Sequence, residues 1–205
     1  TLNPLRAGKK GSKRVDGRIF LIGNTYPYRE NFSALIKAKM IEYLKAIRIS
    51  PNFMPAHNNL GLALMELGRY DEAMASYDEA LRIKPGDGNV HLNRGELFVR
   101  KGMLDEAIVE YRLALKKKPY DPKLHDNLGV ALTRQGHLAE AIAEFREAIR
   151  CDPEHAGAHC NLGMLLLGEG QVDEAIQQFR EAIRYRPMFA NAHYRLSLAL
   201  KSKGR

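Results

Sequence analysis

Tryptophan is absent from the 205-residue chain, and cysteine occurs only at Cys151 and Cys160. Two cysteines cannot build a disulfide scaffold, and their spacing is that of no zinc-binding motif. Long apolar runs are missing as well. The Met164–Leu167 cluster falls far short of the ~20 consecutive apolar residues that a membrane span needs. No amino-terminal apolar core precedes a small-residue cleavage site. Glycine loops that cradle phosphate, clustered zinc ligands and nucleophile elbows are also lacking. These absences predict a protein that is not an enzyme and uses no cofactor or metal. They favour a reducing compartment, the cytoplasm, with a processed or exported fragment and a single Cys151–Cys160 bridge as the alternative.

Charge of one sign is missing from most of the chain. The formal net charge is +8, yet residues 1–50 hold 11 Lys or Arg against three Asp or Glu, and the remainder holds 21 of each sign. The basic excess therefore belongs to a leading arm containing Lys9, Lys10, Lys13, Arg14 and Arg18, which reads as a linker. A uniformly basic, nucleic-acid-binding body is excluded, and the arm has few aromatics for base stacking. Contact of the arm with an anionic membrane surface ranks behind the linker reading.

What the sequence does have is repetition. Prolines at 51, 85, 119, 153 and 187 are each 34 residues apart, as are glycines at 68, 102, 136, 170 and 204 and alanines at 73, 107, 141 and 175. Within one period, His57, Leu60, Gly61 and Leu64 form one apolar stripe at helical spacing. Gly68 ends that helix, and Asp71 and Glu72 open a second one at its positive dipole end. Ala73, Tyr77, Ala80 and Leu81 carry the second stripe, and Pro85 stops it. Asp121 before Pro122 reads as a helix cap with proline in the first turn.

This pattern resembles the tetratricopeptide repeat. The signature positions read His57, Leu60, Gly61, Leu64, Ala73, Tyr77, Ala80 and Pro85, and recur from His125 to Pro153 and from His159 to Pro187. The second unit departs once, with Arg94 in place of leucine. The resemblance implies an all-α fold of helix-turn-helix units stacked in a right-handed superhelix, an α-solenoid with a concave groove. The expected divisions are a basic arm over 1–19 and an irregular cover plus a degenerate repeat helix over 20–53. Repeats follow at 54–87, 88–121, 122–155 and 156–189, and a capping helix or truncated fifth repeat occupies 190–205. Gly23 and the Tyr26-Pro27-Tyr28 run argue against a regular helix over 20–33, whereas Ala34–Ser50 carries apolar residues at helical spacing. In the last helix His193, Leu196 and Leu200 are expected inward.

Two ladders follow the period. His57, His91, His125, His159 and His193 would stand roughly 10 Å apart on stacked helices, too far to share one ion, so each imidazole is expected to pack between its two helices. Asn59, Asn93, Asn127 and Asn161 point away from the apolar stripe, toward the side that the resemblance implies is the groove. A carboxamide both donates and accepts, which matches an extended peptide backbone. This row is similar to the asparagine ladder of the repeat region of protein O-GlcNAc transferases; recent duplication would produce the same row without binding.

Leu62, Val130 and Met164 are placed to receive apolar side chains, while Glu66 and Glu96 against Arg134 and Arg195 suggest an acidic-to-basic gradient. The family's carboxylate clamp is not expected, because the positions read as its first lysine hold Asn58, Leu92 and Asp126. The expected role is a non-catalytic scaffold whose partner is a protein or an extended peptide segment. A chain running from Thr1 to Arg205 also fits the substrate-recruiting part of a larger enzyme, such as a glycosyltransferase. Self-assembly into a homo-oligomer through the superhelix ends is a further alternative.

Overall fold

The structure is a computed structural model that describes residues 13–15, 18–20 and 26–204, with side chains from Phe32 onward. Two short strands, β1 (Lys13–Val15) and β2 (Arg18–Phe20), pair antiparallel with Lys13 opposite Phe20. They fall within and just beyond the segment expected as a linker; Lys9 and Lys10 lie outside the described residues. All other described elements are helices, and none is long and apolar enough to cross a membrane.

Helix α1 (Tyr26–Ile49) is one continuous element, which corrects the expectation of an irregular cover reaching to residue 33. Pro27 lies in its first turn, where a backbone N–H would have no intrahelical partner, so the proline starts the helix instead of breaking it. Four helix pairs follow: α2 (Met54–Glu66) with α3 (Tyr70–Ile83), and α4 (Gly88–Lys101) with α5 (Leu104–Lys117). Next come α6 (Pro122–Gln135) with α7 (Leu138–Cys151), α8 (Ala156–Gly168) with α9 (Val172–Tyr185), and finally α10 (Ala190–Lys203). The first helices begin at 54, 88, 122, 156 and 190, which keeps the interval of 34.

Asp87 and Asp121 cap α4 and α6, each accepting from two backbone N–H groups. Gly102 and Gly136 close the same helices in the left-handed conformation, at φ +79° and +87°. The two helices of each pair meet where glycine faces a ring. A Cβ on Gly61, Gly95, Gly129 or Gly163 would sit 2.5–2.8 Å from Tyr77, Tyr111, Phe145 or Phe179 respectively. Those four rings are all but fully buried.

Each helix packs on its neighbours in sequence. In addition α2 touches α4, α6 touches α8, and α8 touches α10, so the first helices of successive units share one side of the stack. This is the packing of an α-solenoid. In α10 only Ala192 and Ala199 are buried, and His193 and Leu200 are exposed instead of inward. Among the described residues, only α8 and α9 pack substantially on α10, and its stripe exceeds what they cover.

Candidate functional site

Asn59, Asn93, Asn127 and Asn161 each occupy the sixth position of a first helix, so the common start of those helices puts them in one register. The row is not uniform. Nδ2 of Asn93 donates to Oδ1 of Asn58 at 2.9 Å, and Nδ2 of Asn161 donates to Oδ1 of Asp126 at 3.0 Å. Both bonds brace one first helix against the preceding one, from residue i to residue i−35. For Asn127 the corresponding position holds Leu92, which has no acceptor. Among the described residues, the side chains of Asn59 and Asn127 make no hydrogen bond, so two amides brace the stack and two remain open.

Asn127 lines a cavity of about 170 Å³ together with Glu96, Val99, Tyr111, Lys123 and Val130. Three residues singled out from the sequence, Glu96, Asn127 and Val130, thus come together there. Tyr111 reaches this cavity from α5 by passing against Gly95, where no side chain on the first helix blocks it. Burial, reinforced by the Glu96 carboxylate, pushes the Tyr111 hydroxyl well above its ordinary value, so it remains a protonated donor. The Tyr77 hydroxyl is raised for the same first reason and, among the described residues, has no hydrogen-bond partner, buried beside Glu96, Arg100 and Glu66.

The acidic end of the expected gradient is largely neutralised. Arg100 Nη2 lies 2.9 Å from Glu66 and 3.5 Å from Glu96, so two carboxylates share one guanidinium. Arg134 is exposed, while Arg195 is half-buried with a buried Nε that has no partner among the described residues. Leu62 is exposed, and Met164 is half-buried against the core. Burial raises the Asp126 carboxyl above the usual carboxylate range, outweighing the opposing Asn161 hydrogen bond and His155.

Sequence models of the tetratricopeptide repeat match residues 61–102, 95–136 and 165–204, with related models matching 42–75, 144–177 and 122–155. The chain belongs to the tetratricopeptide-repeat family. No curated protein matches it. Among solved structures it is similar to MamA 41-end from Desulfovibrio magneticus RS-1, with 19% identity over 82% of this chain and 99% of that one and a TM-score of 0.67. YrrB, described as a TPR protein with an unusual peptide-binding site, gives 23% identity, 83% and 91% coverage and a TM-score of 0.64. The first TPR of Spaghetti (RPAP3), bound to the HSP90 peptide SRMEEVD, gives 21%, 58% and 94%, and 0.57. At these identities the likeness is one of fold.

In this tetratricopeptide-repeat chain the histidine ladder is structural. His57, His91, His125 and His159 are buried. Nε2 of His57, His125, His159 and His193 meets the carbonyl of the proline six residues earlier at 2.8–3.0 Å. Nδ1 of His91, His125 and His159 meets Glu110, Glu144 and Gln178, each 19 residues later on the second helix. Histidine and proline therefore share one period because one binds the other. Lys123 was passed over in the sequence, although it lies one turn before Asn127 on the same helix face.

Proposed function

We propose that this tetratricopeptide-repeat protein is a non-catalytic scaffold that takes an extended protein segment along the side shared by α2, α4, α6 and α8. The observation that carries this reading is the cavity at Asn127. There an amide without a partner, the Lys123 cation, the Glu96 carboxylate, a protonated Tyr111 hydroxyl and the apolar Val99 and Val130 converge. A backbone amide of the segment pairs with Asn127, and a side chain enters against the two valines. An acidic group of the segment faces Lys123.

Two open carboxamides at about 0.5–1.5 kcal/mol each fall short of an association cost of ~4–15 kcal/mol. Burial of one apolar side chain in the cavity adds about 1.5–3 kcal/mol. Together these contributions reach only about 2.5–6 kcal/mol, at or below that cost. The charge pairing at Lys123 and further contacts along the groove must supply the rest, and binding is weak. Peptide binding by YrrB and by the RPAP3 repeat is consistent with such a use of the fold.

The test is an immobilised peptide array probed with the full chain, followed by titration calorimetry of the strongest peptide. Asn127→Ala is expected to weaken that peptide by about 2- to 12-fold, the range of one hydrogen bond. Asn93→Ala, which removes a brace, should lower stability more than affinity. Unchanged affinity in both Asn127→Ala and Lys123→Ala would remove this cavity as the binding element.

A further inference from the structure

Away from the asparagine row, α6 and α7 bring together a histidine, a carboxylate and a thiol. Ligand-capable atoms of His125, Glu147 and Cys151 all lie within 4.8 Å of one another, with the histidine buried and the other two half-buried. Glu147 and Cys151 stand one turn apart on α7, so helix geometry puts them on one face, and α6 packs against that helix. The geometry points to a binding site for a divalent cation of the zinc class, held by Nε2 of His125, the Glu147 carboxylate and Sγ of Cys151.

The donor set selects the metal. One nitrogen, one oxygen and one sulfur suit a borderline cation such as Zn2+ or Co2+, whereas Mg2+ and Ca2+ need shells of oxygen. Tetrahedral ligands at 2.0–2.3 Å from zinc are about 3.3–3.8 Å apart, so the three atoms need close by only ~1 Å. The outer shell is already in place. Glu144 holds Nδ1 of His125 at 2.6 Å, the arrangement that fixes the tautomer and orientation of a ligating imidazole. Nε2 donates to the Pro119 carbonyl at 2.9 Å, a bond that a metal on that nitrogen replaces. Arg150 grips Glu147 through both oxygens, at 2.8 and 2.5 Å. A carboxylate has about four lone-pair sites, so the grip leaves two for a metal.

Charge and protons balance. Binding expels two protons, that of the Cys151 thiol and the Nε2 proton that bonds the Pro119 carbonyl, while the proton at Nδ1 stays facing Glu144. Thiolate and Glu147 then cancel the two charges of the cation, and Glu144 cancels Arg150. The set is peculiar to this unit. Where Cys151 stands, the other units have Ile83, Lys117 and Tyr185, and where Glu147 stands the second unit has Leu113. The histidine ladder as a whole cannot share an ion, but one of its members, joined by two side chains of the neighbouring helix, can hold one.

Titration of the reduced full chain with Co2+ tests this directly. One equivalent is expected to give a thiolate-to-cobalt charge-transfer band together with the visible bands of a tetrahedral ion, and Zn2+ should displace it and raise the melting temperature. Cys151→Ile, which installs the residue of the first unit, should keep the fold and abolish both the band and the zinc-dependent rise. Glu144→Gln, which copies the Gln178 that serves His159, should keep the band and weaken binding by ~10- to 100-fold. Absence of the band in the natural chain, its survival in Cys151→Ile, or its loss in Cys160→Ala would each overturn the site.

Discussion

A side chain that is not there decides how the two helices of each unit approach. At Gly129 an added Cβ would lie 2.7 Å from Cε1 of Phe145, inside van der Waals contact, and Phe145 is buried with no room to retreat. Alanine in place of helical glycine gains about 1 kcal/mol of propensity, but overpacking costs ~1–3 kcal/mol. Gly129→Ala should therefore be destabilising on balance, while Gly168→Ala should gain about 0.5–1 kcal/mol, because nothing lies within 4 Å of the added carbon there and φ is not positive. Urea unfolding of both variants checks the pair; equal midpoints would refute the packing argument. The recurring glycine and aromatic positions were visible as a period, but that each ring presses on the glycine emerges only from the packing. The split of the asparagine row was not legible either, because helical periodicity fixes the side on which Asn93, Asn127 and Asn161 lie but not whether Asn58, Leu92 or Asp126 can accept.

Helix ends divide into two kinds. α4 and α6 have aspartate caps and α8 is capped by Nδ1 of His155, whereas α2, α3, α5, α7, α9 and α10 begin without a side-chain cap and rely on packing. Asp87 is buried, which by itself would raise its carboxyl, yet Lys84 at 2.9 Å and the N–H groups of Asn89 and Val90 bring it below the usual value. A carboxylate depressed in the fold contributes stability that is present above the unfolded value of ~3.9 and lost as pH falls through the lower folded one. Asp87→Ala should cost about 0.5–2 kcal/mol at neutral pH, and the deficit should shrink in strong acid. Chemical denaturation of both proteins at neutral and acidic pH measures this, and a deficit that persists unchanged in acid would count against the charge. The Asp121 cap could be read from Asp-Pro before an apolar run. The start of α1 could not, since Pro27 reads as a breaker until the helix boundary places it in the first turn.

The buried side chains of the stack form two clusters joined at α4. Ile36, Met40, Leu60, Leu64, Tyr77, Val90 and Leu97 belong to one buried cluster, and a second runs from Ala107 to Ala199. Leu92, Phe98 and Val99 of α4 pack against the second cluster, so α4 joins the two, and on that helix Arg94 replaces the leucine that is buried as Leu60, Leu128 and Leu162. Arg94 lies 3.5 Å from the buried Glu110 and 3.4 Å from Asp78, and its buried Nε makes no hydrogen bond; Glu110 also holds His91. The Arg94 departure was visible in the sequence, but the ionic triad it forms needs contacts that spacing does not supply.

In a linear array stability is roughly a sum of units and interfaces, so a buried ionic group on the helix that joins the two clusters lowers their coupling. Arg94→Leu with Glu110→Gln would recreate the His159, Leu162 and Gln178 arrangement of the fourth unit. Replacing buried ions by apolar or neutral groups of similar shape is worth about 1–4 kcal/mol, whereas Arg94→Leu alone leaves Glu110 with one counter-charge fewer. The double variant should therefore be more stable than either the natural chain or the single variant. Native-state hydrogen exchange should show residues 36–97 opening before residues 107–199 in the natural chain and together with them in the double variant. Exchange already uniform on the two sides of α4 in the natural chain would mean that Arg94 does not divide the stack.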